Sequence, residues 1–228
     1  MLTVFSSNGV RAVLLELAPE FERTSGHKLA ITFNPANALK EQIVRGDAFD
    51  VTILTPPVMD EMVAQKRIAG ASVRTIARVG SGLAVKTGAR KADISTVDGF
   101  KRALLDATAI ACSKVGASGI RFARVIDELG IGEQVRAKCV YLPGGLTGDL
   151  VARGEVDLAV QLMSELAAVE GGIDILGPFP ESLQEYTVMV AGVSAAAREP
   201  AAAKALVELL TSDKARPILR AKGMEAAN

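Results

Sequence analysis

Small hydroxyls and amides at the ends of apolar runs are the residues whose chemistry this chain could use. Four turns carry them: Ser6-Ser7-Asn8-Gly9, Asn34-Pro35-Ala36-Asn37, Ser113 to Gly119, and Gly144 to Gly148 with Thr147 inside it. Each follows a strand-like run and precedes a helical one. A helix start presents free backbone N–H groups and a partial positive charge, so several aimed at one point bind an anion without needing Arg or Lys. The hydroxyls of Ser6, Ser7, Ser113 and Ser118 and the amide of Asn37 add side-chain donors. Taken singly, each turn reads equally as plain helix capping, since Ser, Asn and Gly are the usual caps. Their recurrence at four strand ends favours a ligand.

The elements that must position these turns follow from periodicity. Leu2 to Phe5, Leu29 to Phe33 and Asp50 to Leu54 read as strands. The helices between them span Val10 to Phe21 and about Ala38 to Arg45, and a short one covers Val58 to Gln65. This βαβαβα order predicts a parallel sheet covered on both faces, with ligands at the carboxyl ends of its strands. A second series begins near Gly80. Its strands are Leu83 to Lys86, Ile110 to Cys112, Cys139 to Leu142, Val156 to Gln161 and Ile173 to Ile175. Helices open at Thr96 and after Gly119, and a short one covers Met163 to Leu166. Tyr186 to Gly192 returns to the first series, and helices at Pro200 to Leu210 and Lys214 to Lys222 close the chain.

Two segments mark the duplication. Arg45-Gly46-Asp47 leads into Asp50-Val51, and Arg153-Gly154-Glu155 leads into Asp157-Leu158. Both read as a helix closed by a left-handed Gly, with Arg on the favourable end of the dipole. The expected domains are 1–79 plus 187–228, and 80–186, with a ligand cleft between two lobes.

Composition narrows the function. The chain has 228 residues, 49% hydrophobic, with 26 basic and 26 acidic side chains and a formal charge of +0. Nothing in that balance calls for nucleic acid or an anionic membrane. Aromatic content of 4%, with no Trp, argues against stacking platforms for sugars or bases. No run approaches the length of a membrane span. The localisation expected is periplasmic if a leader has been removed and cytoplasmic if Met1 is the native start. On parallel strands Cys112 and Cys139 are expected at opposite ends, as inert thiols without a disulfide. There is no Cys/His spacing for zinc, Gly80-Ser81-Gly82 lies between strands and is no phosphate loop, and Ser113 lacks a His for a triad. No metal or cofactor is expected.

The opening strand with Ser6-Ser7, the helix to Phe21-Glu22, Thr24-Ser25-Gly26, Arg45-Gly46-Asp47 to Asp50-Val51, Gly116 to Gly119 and Arg153 to Asp157 together resemble the periplasmic molybdate-binding proteins. The resemblance covers nearly the whole chain. It implies an α/β, type II periplasmic-binding-protein fold: two lobes, each a mixed, mostly parallel sheet flanked by helices, joined by two crossovers and closing by hinge motion around an anion. It also implies a monomer that serves an ABC permease. Carried over by position, Ser6 and Ser7 match the family's serine pair, and Asn37 stands where a second serine is usual. Gln161-Leu162-Met163-Ser164 occupies the place of a tyrosine donor, which puts Gln161 and Ser164 beside Asn8, Ser113, Lys114, Ser118, Gly119 and Thr147 as ligand candidates. Losing the tyrosine and gaining Lys114 favours a carboxylate over molybdate, since charge-assisted bonds are about twice as strong as neutral ones.

The resemblance extends to aconitate isomerase, an enzyme on an unsaturated tricarboxylate. Such chemistry needs a base near neutral pH. Lys114, Glu165 and Tyr141 are the candidates, although Glu165 also reads as a first-turn helix acid. His27, the only histidine, sits at the amino end of a strand, away from the ligand end. The expected function is a solute-binding protein for a small anion, an oxyanion such as molybdate or a carboxylate, with an aconitate-type isomerase as alternative. A regulatory ligand-binding module is a third option, although no DNA-binding motif is present.

Overall fold

The computed structural model describes residues 1–227. The chain forms two compact units, one of Met1–Val79 with the chain from Val188 onward, the other of Gly80–Thr187.

The first unit opens with β1 (Leu2–Ser7), α1 (Arg11–Ser25), β2 (Leu29–Asn34), α2 (Ala36–Arg45), β3 (Val51–Leu54), α3 (Pro56–Ala64) and β4 (Arg74–Val79). The second contains β5 (Ser81–Lys86), α4 (Val97–Asp106), β6 (Ile110–Ser113), α5 (Ala117–Glu128), α6 (Gly132–Arg136), β7 (Cys139–Leu142), α7 (Gly148–Arg153), β8 (Leu158–Leu162), α8 (Met163–Leu166) and β9 (Ile173–Pro178). The chain then completes the first unit with β10 (Thr187–Val193), α9 (Pro200–Leu210), α10 (Ala215–Ala221) and β11 (Met224–Ala226).

Both sheets are mixed, as the resemblance implies, and not the all-parallel sheet that the βαβαβα order alone predicts. The first has the order β11-β4-β10-β3-β1-β2 and the second β7-β6-β8-β5-β9. In the first, β1 lies between β2 and β3 and is parallel to both, while β10 runs antiparallel to β3. In the second, β6 lies between β7 and β8 and is parallel to both, while β5 runs antiparallel to β8 and β9. The three-strand parallel core is thus built twice.

Side-chain alternation sets the layers of the second unit. Leu83, Val85, Ile110, Cys112, Leu158 and Val160 enter one apolar cluster with Phe100, Phe122 and Phe179. Their strand neighbours Ala84, Ala111 and Ala159 enter another with Val151 and Leu166. The large residues therefore face α4, α5 and α6, and the small ones let α7 and α8 approach closely. Phe100 and Phe179 meet edge-on at 4.8 Å, which adds about 1 kcal/mol beyond their burial.

The duplicated segments close their helices in the same way. Gly46 and Gly154 are left-handed, at φ 101° and 75°. The next N–H reaches back to the carbonyl five residues earlier, Asp47 to Gln42 and Glu155 to Leu150. The Arg45–Asp47 and Arg153–Glu155 pairs are exposed and contribute little. The following Asp does more. Asp50 is buried, and its carboxylate accepts the N–H groups of Thr3 and Arg198, both at 2.8 Å. Asp157 accepts the N–H groups of Thr108 and Ala109 and the Thr108 hydroxyl. Each Asp ties the amino end of its strand to the central parallel strand beside it.

The expectation for the cysteines is corrected. The strands β6 and β7 are parallel, but they are only four residues long and pair Ile110 with Cys139 and Cys112 with Tyr141. Cys112 and Cys139 are therefore diagonal neighbours on one face, two residues apart in register, instead of a full strand length apart. Both are free thiols, Cys112 buried and Cys139 half-buried.

Candidate functional site

In the first unit, β1, β2 and β3 end level with one another, Ser7 opposite Asn34 and Ser6 opposite Ile53. Ser6, Ser7 and Asn8 are buried there. Apolar packing does not call for three buried polar residues in succession. The Ser6 hydroxyl donates to the Ser7 carbonyl at 3.0 Å. Ser7 stands at the cap of a single 3-10 turn, Asn8–Val10, yet its hydroxyl makes no cap bond. The second turn starts α2 at Ala36, earlier than predicted, because Pro35 at the cap has its φ preset. Pro35 supplies no capping side chain, and Asn37 is exposed in the first helical turn.

In the second unit the corresponding turn after β6 winds tightly on itself. The Gly116 N–H donates to the Ser113 hydroxyl at 2.8 Å. A Cβ on Gly119 would overlap the Ser113 carbonyl, so only Gly fits there. Gly116 caps α5 without a side chain, and Ser118 and Gly119 are buried in the first turn. Lys114 is exposed on this loop, and no ion pair among the described residues engages it.

After β7, the loop to α7 is held by Gln161. Its Oε1 accepts from the Thr147 N–H at 2.8 Å and the Thr147 hydroxyl at 3.0 Å, and its Nε2 donates to the Gly145 carbonyl at 3.0 Å. Gln161 is buried with its amide engaged at both ends, so it positions the Gly145–Thr147 loop. Thr147 spends its hydroxyl on Gln161 and the Val160 carbonyl and does not cap α7. The sequence pattern singled out both residues; their mutual engagement needs the register of β8 to be seen.

At the end of β8, Ser164 and Glu165 are buried in α8. Parallel pairing of β6 with β8 runs from Ile110–Leu158 to Ala111–Ala159, so the Leu162 N–H lies beyond it. Glu165 Oε2 accepts that N–H at 3.2 Å. Burial pushes the Glu165 carboxyl up to about 7, against a smaller lowering by the Leu162 bond. Both readings of Glu165 thus meet in one residue: a helix-start acid, and a carboxyl that titrates near neutral pH.

Tyr141 is half exposed on β7, beside the two cysteines, and its phenol is pushed up to about 12 by partial burial and by those thiols. It is a hydrogen-bond donor at neutral pH. His27 is half-buried in the turn before β2, its N–H bonded to the Ser25 hydroxyl, at the amino end as expected.

The helix starts following β1, β2, β3, β6 and β7 carry no side-chain cap bond. A side-chain cap is the exception in this fold, absent also from α6, α9 and α10. At α4, Thr96 does cap, accepting the Gly99 N–H at 3.1 Å. Thr96 shares a pocket with Lys86, Thr108 and Asp157, which places it at the amino ends of β6 and β8. Among the described residues, no group of three or more His, Cys, Asp or Glu could hold a metal ion.

Known proteins share this architecture. The aconitate isomerase of a Pseudomonas species is 33% identical over 230 residues, covering 98% of this chain and 87% of that protein. The molybdate-binding protein of Azotobacter vinelandii is 24% identical over 219 residues, covering 93% and 84%. The solved structure of the Azotobacter vinelandii periplasmic molybdate-binding protein superposes with a TM-score of 0.83 at 21% identity, covering 100% of each chain. The fold is that of the type II periplasmic binding proteins, as the sequence resemblance implies. Over residues 2–225 the chain matches the bacterial extracellular solute-binding proteins, and it belongs to that family.

Proposed function

We propose that this solute-binding protein captures a small anion that carries carboxylate groups. The backbone N–H groups at the uncapped helix starts, with the Ser7 and Ser118 hydroxyls, are its donors, and Lys114 supplies the formal cation. The buried Ser6, Ser7 and Asn8 at the end of β1 carry the reading: three polar residues in succession that apolar packing does not call for, beside a helix start whose N–H groups no side chain caps. One relative is named for aconitate and another for molybdate, both small anions. Lys114, together with Gln161 in place of the resemblance's tyrosine, favours the carboxylate. The protein acts outside the cytoplasmic membrane as a monomer and delivers its ligand to an ABC-type permease. Among the described residues, no helix is long and apolar enough to cross a membrane.

A thermal-shift panel of molybdate, sulfate, citrate and the two aconitates tests this. A ligand at 100 times its dissociation constant adds about 2.7 kcal/mol of stability. Citrate or an aconitate should raise Tm more than molybdate does, and the absence of any shift would refute anion capture. Ser7→Ala should weaken the true ligand about tenfold, the effect of roughly one charge-assisted hydrogen bond.

Glu165 favours a second reading, an isomerase of the aconitate type. A buried carboxyl titrating near 7 at the ligand end of β8 is suited to move a proton to and from carbon at neutral pH. Conversion of cis- to trans-aconitate, followed by ultraviolet absorbance and abolished by Glu165→Gln, would favour the enzyme. An unchanged spectrum at high protein concentration would leave capture alone.

A further inference from the structure

Given anion capture at the end of β1, on which this assignment rests, we propose that Arg11 is a further ligand-binding residue. Its guanidinium is a fork for one carboxylate of the captured anion. Lys114 is already assigned to a carboxylate, so a fork for another makes the ligand a di- or tricarboxylate.

Arg11 opens α1, close behind the buried run Ser6-Ser7-Asn8. In a helix the Cα–Cβ bond tilts toward the amino terminus, so this side chain is carried back toward the strand ends. Its guanidinium carbon lies 4.7 Å from the centre of the Phe33 ring. Phe33 pairs with Ser6, one residue before β2 ends at Asn34. The guanidinium therefore stands at the ligand end of the first sheet.

The fold gives this charge no partner of its own. A helix start disfavours a cation, and no acidic residue shares the first turn of α1. Arg11 is half-buried, yet among the described residues no ion pair or hydrogen bond engages its guanidinium. Arg121, half-buried on α5, shows the ordinary solution: Glu128 pairs with it at 3.0 Å, and the Leu183 carbonyl accepts from its Nε and Nη2.

Stacking on Phe33 occupies only the face of the guanidinium. Its N–H donors lie in the plane, at the edge, where a carboxylate accepts them bidentately. The ring holds the fork in place before a ligand arrives, which lowers the ordering cost of binding. Phe33 is thus a positioning residue, and Arg11 makes the contact.

Citrate, the two aconitates and molybdate are the probes, titrated calorimetrically into the full chain. Wild type should take a tricarboxylate more tightly than molybdate. Arg11→Gln keeps an apolar stem over Phe33 without the charge, and should weaken that tricarboxylate by about 10- to 100-fold, the effect of losing charge-assisted hydrogen bonds. Arg11→Lys restores the charge without the fork and should recover only part of the loss; full recovery would overturn the bidentate geometry. Ser7→Ala separates the two readings. If it weakens the tricarboxylate and Arg11→Gln does not, anion capture stands and Arg11 merely covers Phe33. Molybdate bound more tightly than every carboxylate would overturn the ligand class, and no binding of any anion would remove capture and the Arg11 contact together.

Discussion

Replacing Glu165 with Gln should stabilise the protein at alkaline pH and leave it unchanged in acid. The side chain is 8% exposed, and its carboxyl rises from an ordinary 4.5 to about 7. Between those values the folded chain holds a proton that the unfolded chain has released. Stability from this group is therefore whole below about pH 4.5 and falls as pH rises through 7. At about 1.36 kcal/mol per pKa unit, the loss is about 3 kcal/mol, reached above pH 8. Gln retains an oxygen for the Leu162 N–H and avoids the buried charge. Urea unfolding of both proteins at unit steps from pH 5 to pH 9 gives the difference directly, and other titrating groups cancel. The variant should exceed the wild type by under about 1 kcal/mol at pH 5 and by about 3 kcal/mol at pH 9. A difference independent of pH would show that Glu165 titrates like a solvated acid, and the case for it as a proton carrier would fall with it.

Gln161→Leu keeps the volume but strands the Thr147 N–H, the Thr147 hydroxyl and the Gly145 carbonyl. It should cost about 2–4 kcal/mol in denaturant unfolding. Gly119→Ala drives a methyl group into the Ser113 carbonyl and must open the loop after β6; calorimetry should find a loss of about 1–3 kcal/mol and weakened ligand binding. The Thr108 hydroxyl and the N–H groups beside it hold Asp157 below the usual carboxylate range. Its contribution is present above the unfolded value near 3.9 and disappears as pH falls through the folded one. Asp157→Asn should therefore be less stable than wild type at pH 6, by under about 1 kcal/mol because the residue faces solvent, and equal to it in strong acid.

The parts of this fold legible in the sequence are those fixed by local patterns, and the parts hidden are those fixed by register. Arg45-Gly46 and Arg153-Gly154 end their helices through bonds spanning five residues, so the duplication was readable from the string. The helices at Arg11–Ser25 and Pro200–Leu210 follow from side-chain period alone. By contrast, α6 and β11 are too short to display a period. The candidate site divides the same way. Ser6, Ser7 and Ser118 were visible by type, but whether a serine caps a helix or leaves its donors open depends on geometry that composition does not carry. Gln161 was placed as a ligand donor because it aligns with one; the bonds to Gly145 and Thr147 that engage it cross sixteen and fourteen residues. The cysteines show the limit most clearly. β6 and β7 are parallel, yet the diagonal placement of Cys112 against Cys139 follows from strand length and from pairing that starts at Ile110 and Cys139. The same reasoning explains why the duplicated Asp matters more than the duplicated Arg. Arg45 and Arg153 satisfy their own neighbours in solvent, whereas Asp50 and Asp157 each join β3 or β8 to the central strand beside it. They fix how far each parallel strand extends, and hence the level at which Ser7 and Ser113 emerge. The acids at the amino ends of the strands thus set the height of the donors at the opposite ends.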